Sequence, residues 1–315
     1  MLFFLSKMPE SRSGRGSQHG ILAGKSPVLN ALTIDVEDYF HTEAMSAAVS
    51  RDQWDVQPSR VERSTMELME LFDRLGVRAT LFFLGWVAER FPALVSQAVK
   101  AGHEIGCHSY WHRAVFRLTP AEFQEDTARA KKVIEDAGGV PVWGYRAPSF
   151  SLIPGTEWAA EILAELGFTY DSSVNPIRHD FYSNAGAPRH PHQIAGGALW
   201  ELPIATVRFA GQNLPVGGGA YLRILPYAYS RWGLRQLNRE EQMPAMFYLH
   251  PWEIDPGQPR LPVGAKSRVR QYTNLGHTLG KLEALLTAFP FGPAIEAFPQ
   301  VRVPSADRMT GAVRN

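Results

Sequence analysis

Residues able to bind a metal or move a proton fall at the ends of short apolar runs in this chain. Asp35, Glu37 and Asp38 close the run 29–35. His108 closes 103–108, Arg146 closes 142–146, Asp171 closes 168–171 and His250 closes 245–250. In parallel α/β folds the carboxyl ends of strands converge on one site, and packing alone gives no reason for polar residues to recur there. His108-Ser109-Tyr110-Trp111-His112 has the i, i+4 spacing that sets two imidazoles on one side of a helical turn, an arrangement suited to a divalent ion such as zinc. It is not the zinc-peptidase motif, because no glutamate follows the first histidine. Asp35-Val36-Glu37-Asp38 supplies carboxylates for a metal and for a base. Each signal is weak alone, since a surface pair explains the histidines and caps or turns explain the acids. Together, two imidazoles and a carboxylate form a ligand set with positions left open for water. A second carboxylate could take a proton from that water, and His250 could give one to a leaving group. Asp171 or another acid could orient the histidine.

The elements needed to position these groups are legible. Runs 29–35, 79–84, 103–108, 142–146, 168–171, 199–204 and 245–250 read as buried strands. Between them lie helical patterns. One follows Ser64 and Glu67, with Met66, Met69, Phe72 and Leu75 on one face and Gly76 as a stop. Others cover 91–101, 119–138 and 156–166. Thr119-Pro120-Ala121-Glu122 combines a cap, a first-turn proline and a capping-box glutamate. Alternating strands and helices predict a parallel sheet. Residues 176–197 and 209–219 read as long loops, which in a compact domain are often functional.

Composition narrows the class. The chain has 315 residues, 45% hydrophobic and 20% charged, with a formal net charge of +1. That is a globular balance with no basic stripe for nucleic acid and no polybasic anchor. Cys107 is the one cysteine, so no intrachain disulfide forms. Residues 1–28 read as a disordered leader, 29–300 as one barrel domain and 301–315 as a tail. The apolar start, residues 1–5, is too short to span a bilayer and lacks the basic region of a secretory signal. The expectation is a cytoplasmic or membrane-peripheral protein.

Five ordered motifs resemble the polysaccharide deacetylase family, carbohydrate esterase family four, over residues 29–255. They are Thr33-Ile34-Asp35-Val36-Glu37-Asp38, His108-Ser109-x-x-His112, Arg146-Ala147-Pro148-Ser149-Phe150, Asp171-Ser172 and Leu249-His250. The first motif, Gly217-Gly218-Gly219-Ala220-Tyr221 and His250-Pro251-Trp252-Glu253 further resemble bacterial deacetylases of exosortase and exopolysaccharide clusters. The resemblance implies a distorted (β/α) barrel of about seven parallel strands and a metal-dependent N-deacetylase of polysaccharides. Zinc is the foremost ion, with cobalt or nickel as alternatives. It further implies Asp35 as general base held by Arg146, His108 and His112 as metal ligands, and a backbone N–H near Ser149 or Phe150 for the oxyanion. His250 would be general acid, with Asp171 supporting its charge. The usual metal carboxylate directly follows the base, but Val36 stands there. Glu37 keeps the strand face of Asp35, whereas Asp38, reached through a bulge, keeps the residue type.

Trp111, Pro148, Phe150 and Trp252 are candidate substrate contacts, the tryptophans because they adjoin or nearly adjoin motif histidines. Simple packing explains the other tryptophans. Cys107 and His103 read as structural, and His41, His179, His190 and His192 as loop residues. The glycine run lacks the Lys-Ser/Thr of a phosphate loop, so it reads as a tight turn or a close approach of substrate. Arg223 reads as a surface residue. Two other functions fit the same residues: a small-amide hydrolase of allantoinase-like or formamidase-like type, and a non-catalytic sugar-binding scaffold.

Overall fold

A computed structural model describes residues 27–178 and 184–301. His179, nearly all of the leader and all but the first residue of the tail lie outside the described residues.

The strands are β1 (Asn30–Val36), β2 (Thr80–Phe83), β3 (Glu104–Cys107), β4 (Gly144–Tyr145), β5 (Tyr170–Asp171), β6 (His192–Ile194), β7 (Leu199–Glu201), β8 (Thr206–Phe209), β9 (Gln212–Pro215), β10 (Met246–Leu249) and β11 (Phe291–Gly292). Seven of them run parallel in the order β10-β1-β2-β3-β4-β5-β7. The antiparallel β6 caps one edge and the short β11 pairs with the start of β1. The curled, mostly parallel sheet is the distorted barrel that the motifs imply.

The ends of that order, β10 and β7, are joined by stitching rather than by a ladder. The Ala205 N–H donates to Met246 O at 3.1 Å, and the Tyr248 N–H donates to Gly217 O at 2.7 Å. This explains the glycine run, since a Cβ on Gly217 would lie 2.4 Å from the Met246 carbonyl oxygen. Two backbones approach there too closely for any side chain.

Helices α1 (Val61–Leu75), α2 (Gly85–Arg90), α3 (Pro92–Lys100), α4 (Pro120–Gly138), α5 (Trp158–Glu165), α6 (Gly219–Ile224), α7 (Tyr227–Arg235), α8 (Ala265–Tyr272) and α9 (Leu275–Ala288) accompany the sheet. No helix of the described residues is long and apolar enough to cross a membrane. Residues of β1 alternate as the pleat requires. Leu32, Ile34 and Val36 join the large outer core, while Ala31 packs inside with Phe82, Tyr170 and Met246. Thr33 and Asp35 share the inner face with Ala31, and that face leads to the site.

Several local expectations shift. Helix α1 begins at Val61, so Ser64 lies inside it rather than capping it. Helix α4 carries the full Thr119–Glu122 capping box. The stretches read as loops contain β6 and, in 209–219, the turn and second strand of the β8–β9 hairpin. Strands β4 and β5 are only two residues long.

Candidate active site

The inner face of β1 delivers Asp35 to the carboxyl edge of the sheet, where Arg146 meets it. Arg146 Nη1 donates to Asp35 Oδ1 at 2.6 Å and to Thr33 Oγ1 at 2.7 Å. Its Nε donates to Ser172 O at 3.1 Å and its Nη2 to Ser172 Oγ at 2.9 Å. The guanidinium also lies over the Phe82 ring, 4.4 Å from its centroid. Arg146 is wholly buried and Asp35 nearly so. A guanidinium held by four hydrogen bonds at this depth fixes the carboxylate while leaving Asp35 Oδ2 directed at the site.

Beyond Asp35 the chain turns sharply, with the Glu37 N–H donating to Asp35 O at 3.0 Å. That turn separates the two carboxylates left open by the sequence. One ligand atom each from Glu37, His108 and His112 lies within 4.8 Å of the others, and all three residues are buried. Glu37 Oε2 stands 2.8 Å from His112 Nε2, yet no hydrogen bond satisfies that buried oxygen. Asp38 points elsewhere. Its Oδ1 accepts the Tyr39 N–H at 3.0 Å, and its Oδ2 accepts Ser59 Oγ–H at 2.6 Å, the Arg60 N–H at 2.8 Å and the Val61 N–H at 3.1 Å. Asp38 therefore caps the N-terminus of α1 from a distance and is withdrawn from the metal candidates: its acceptor positions serve orphan helix donors.

The histidines are posed as ligands. His108 Nδ1 lies 2.8 Å from Arg146 O. A carbonyl can only accept, so Nδ1 carries the proton and Nε2 keeps its lone pair for the site. Burial foremost pushes the His108 pKa down to about 4, the neutral form a metal needs. Residues 108–112 are not a helical turn as the spacing implies. Ser109 and His112 adopt positive φ of 61° and 50°, and the His112 N–H donates to Ser109 Oγ at 3.1 Å. This kinked loop brings the ring centroids to 5.3 Å. Burial alone would raise the Glu37 carboxyl, but the charge of His112, with those of His250 and His108 behind it, holds it far below the usual range. An orphaned buried carboxylate oxygen facing two imidazoles is a donor set that fits a divalent ion.

His250 completes the cluster. Its Nε2 is 3.5 Å from Glu37 Oε1 and 3.8 Å from Asp35 Oδ2. At 19% exposure its side chain is the member of the group most open to solvent. The sequence reading gave Asp171 the task of supporting it, and here the structure differs. His250 Nδ1 lies 2.8 Å from Glu253 Oε1, and Glu253 Oε2 accepts from Arg223 Nε at 2.8 Å. Burial opposes protonation of His250, but the Glu253 hydrogen bond and the charges of Glu37, Glu253 and Asp35 raise its pKa to about 9. Asp171 instead sits in register with Glu201 of β7. Burial raises both carboxyls, as expected where two acids share a proton. Asp171 Oδ1 accepts from Ser173 Oγ, which in turn accepts the Ala147 N–H at 2.7 Å. Asp171 thus braces the turn after Arg146.

That turn holds Ser149 and Phe150 at φ of 56° and 52°. The Phe150 N–H donates to Ala147 O at 3.2 Å. Pro148 is buried, and the Phe150 ring packs 4.7 Å from that of Tyr248. Trp252 is 7% exposed, stacks on His250 at 5.1 Å, and lies under the Arg223 guanidinium at 5.5 Å. It orients the histidine and offers no free face to a sugar. Trp111 remains half-buried, and Arg51 Nε donates to its carbonyl at 2.8 Å.

Sequence reasoning missed three participants. Glu253 follows His250 at i+3, the spacing of a capping box, and that was the available signal. Arg223 is buried, not superficial, and its Nη1 and Nη2 donate to the carbonyls of Thr273 and Arg270 at 2.8 and 2.7 Å. His41 lies in the loop after β1, as expected, but it is buried beneath the site, its Nδ1 accepting the Asp38 N–H at 2.9 Å and its ring 4.3 Å from that of Trp54.

Comparison with known proteins divides the chain in two. Residues 52–170 match the family described as polysaccharide deacetylase. Residues 172–299 match a domain of unknown function, DUF3473. A peptidoglycan deacetylase of Helicobacter pylori is 32% identical over 134 residues, covering 42% of this chain and 41% of that protein. A chitooligosaccharide deacetylase of a Bradyrhizobium strain is 26% identical over 100 residues, 32% of this chain and 43% of that protein. The chain thus spans less than half the length of these curated relatives. A solved structure from Mycobacterium smegmatis, described as a "putative polysaccharide deacetylase", superposes with a TM-score of 0.59 at 20% identity, covering 91% of this chain and 94% of that one. That likeness establishes the fold.

Proposed function

From the match of residues 52–170 to the polysaccharide deacetylase family, we propose that the protein hydrolyses N-acetyl groups of amino sugars in a polysaccharide. One observation carries the reading: Asp35, Glu37, His108, His112 and His250 meet at the carboxyl edge of the sheet, with three of them disposed as a metal set. Glu37, His108 and His112 would hold a divalent ion, zinc foremost, which supplies Lewis acidity toward the acetyl carbonyl and the attacking water.

The protein's own groups do the rest. Arg146 fixes Asp35 so that Oδ2 takes the proton of the attacking water. The Ser149 N–H, presented by the strained turn, donates to the oxyanion. His250 gives its Nε2 proton to the sugar nitrogen as the C–N bond breaks, releasing acetate and a free amine. His250 Nε2 and Asp35 Oδ2 lie 3.8 Å apart, so acid and base border one small volume. The likeness of the first motif, the glycine run and His250-Pro251-Trp252-Glu253 to exosortase-associated deacetylases supports an exopolysaccharide as the polymer.

The test is acetate release from N-acetylglucosamine oligomers, with mass spectrometry of the oligomer. Loss of acetyl groups, abolished in Asp35→Asn, supports the reading. Hydrolysis of small amides with intact oligomers would replace it with the small-amide alternative, and metal-free, inactive protein would favour a sugar-binding scaffold.

A further inference from the structure

We propose that Glu253, clamped by Arg223, is the positioning residue of the general acid His250, the task first assigned to Asp171. This inference rests on the deacetylase reading of the site and assigns a function to residues within 172–299, the part matched only to a domain of unknown function.

The geometry is continuous from backbone to site. Arg223 is held by the carbonyls of Arg270 and Thr273, at the end of α8 and just beyond it. Its Nε donates to Glu253 Oε2 at 2.8 Å, and both side chains are 1% exposed. Glu253 Oε1 then meets His250 Nδ1 at 2.8 Å and also accepts the His250 N–H at 3.2 Å. A carboxylate so held can only accept, so Nδ1 carries a proton and Nε2 is the atom turned to the substrate. Trp252, stacked on the imidazole with an interplanar angle of 21°, blocks rotation of the ring out of that pose. The neighbouring backbone is shaped around the carboxylate: a Cβ on Gly219 would lie 2.3 Å from Glu253 Oε1. Asp171 meanwhile is committed to Ser173 and Glu201 on the far side of Arg146.

In this arrangement His250 passes its Nε2 proton to the departing nitrogen while the Nδ1 proton stays against Glu253. The carboxylate therefore matters in proportion to how much the leaving group needs a proton. An amine leaves only when protonated, whereas the 4-nitrophenolate of an aryl acetate leaves as the anion. That difference separates a role exerted through His250 from a merely structural one.

The experiment compares wild type, Glu253→Gln and Asp171→Asn on N-acetylglucosamine oligomers and on 4-nitrophenyl acetate, with metal content and melting temperature measured on each. The expected result for Glu253→Gln is a kcat on oligomers lowered ~100-fold, with KM and aryl acetate turnover within ~3-fold and metal content unchanged. Glu253→Asp restores part of the loss. Equal losses on both substrates, or a selective loss in Asp171→Asn and none in Glu253→Gln, overturn the proposal. Wild type that cleaves the aryl ester but no amide would instead remove the deacetylase reading. The positioning claim is then decided by NMR of the wild-type protein, in which the His250 Nδ1 proton, assigned by its loss in His250→Gln, resonates far downfield from its hydrogen bond to a carboxylate. Absence of that resonance overturns the claim whatever the activity.

Discussion

Exchanging Glu37 and Asp38 for alanine, one at a time, should separate binding from stability in two adjacent acids. Asp38 serves four donors, three of them backbone N–H groups, two of which stand at the start of α1. Its removal deletes a helix cap, worth ~1 kcal/mol, and strands further buried donors at ~1 kcal/mol or more each. A total of about 3 kcal/mol lowers the melting temperature by roughly 6 °C in a chain of this size. Because Asp38 contributes nothing to the donor set, Asp38→Ala should keep its metal at temperatures where it is folded. Glu37 has the opposite profile: its Oε2 is buried and satisfied by no hydrogen bond. Glu37→Ala should leave the melting temperature of metal-free protein within about 2 °C, and should weaken metal binding by more than the ~10–100-fold that loss of an outer-shell partner costs. The assay is calorimetric titration with zinc, beside thermal melting of metal-free protein. Reversed results, with Asp38→Ala losing metal and Glu37→Ala losing stability, would refute the assignment.

Asp35→Asn and His250→Ala should each lower oligomer turnover ~100-fold or more with the fold retained, checked by steady-state kinetics and circular dichroism; near-normal rates in both would dismiss them as base and acid. Gly219→Ala forces a methyl against the Glu253 carboxylate, and the overpacking should cost ~1–3 kcal/mol and lower kcat, read by melting and kinetics. His103 accepts the Ala79 N–H, and burial, with Arg78 beside it, depresses its pKa from 6.5 to about 4. Below pH 6.5 the unfolded chain takes up this proton and the folded chain does not, so stability falls as pH drops from 6.5 towards 4. The loss is at most about 3 kcal/mol, and urea midpoints across that range should show a shallower slope in His103→Gln.

The seven parallel strands were legible because each is a short apolar run, and the site followed because five of those runs close in a polar residue at one edge. What stayed hidden was set by tertiary contact. The sequence places Glu37 and Asp38 side by side, and only the turn after Asp35 and the docking of α1 send them to different tasks. Ser64 and Glu67 have the spacing of a cap, yet the cap of α1 comes from Asp38, distant in sequence. Asp171 sits where the fourth motif belongs, but β7 sets Glu201 beside it, and the partner of His250 arrives from the residue three positions further on. Arg223 looked superficial because nothing local announces that α8 and Glu253 enclose it. The histidine spacing pointed to the right pair through the wrong geometry, since a kinked loop with two positive φ angles stands in place of a helical turn.

The most direct test measures metal content and acetate release on one preparation, before chelation, after it, and after stoichiometric zinc is restored. The account predicts about one ion per chain, removable only with loss of acetate release from N-acetylglucosamine oligomers, and regained together with it. Acetate release that persists undiminished in metal-free protein would contradict it.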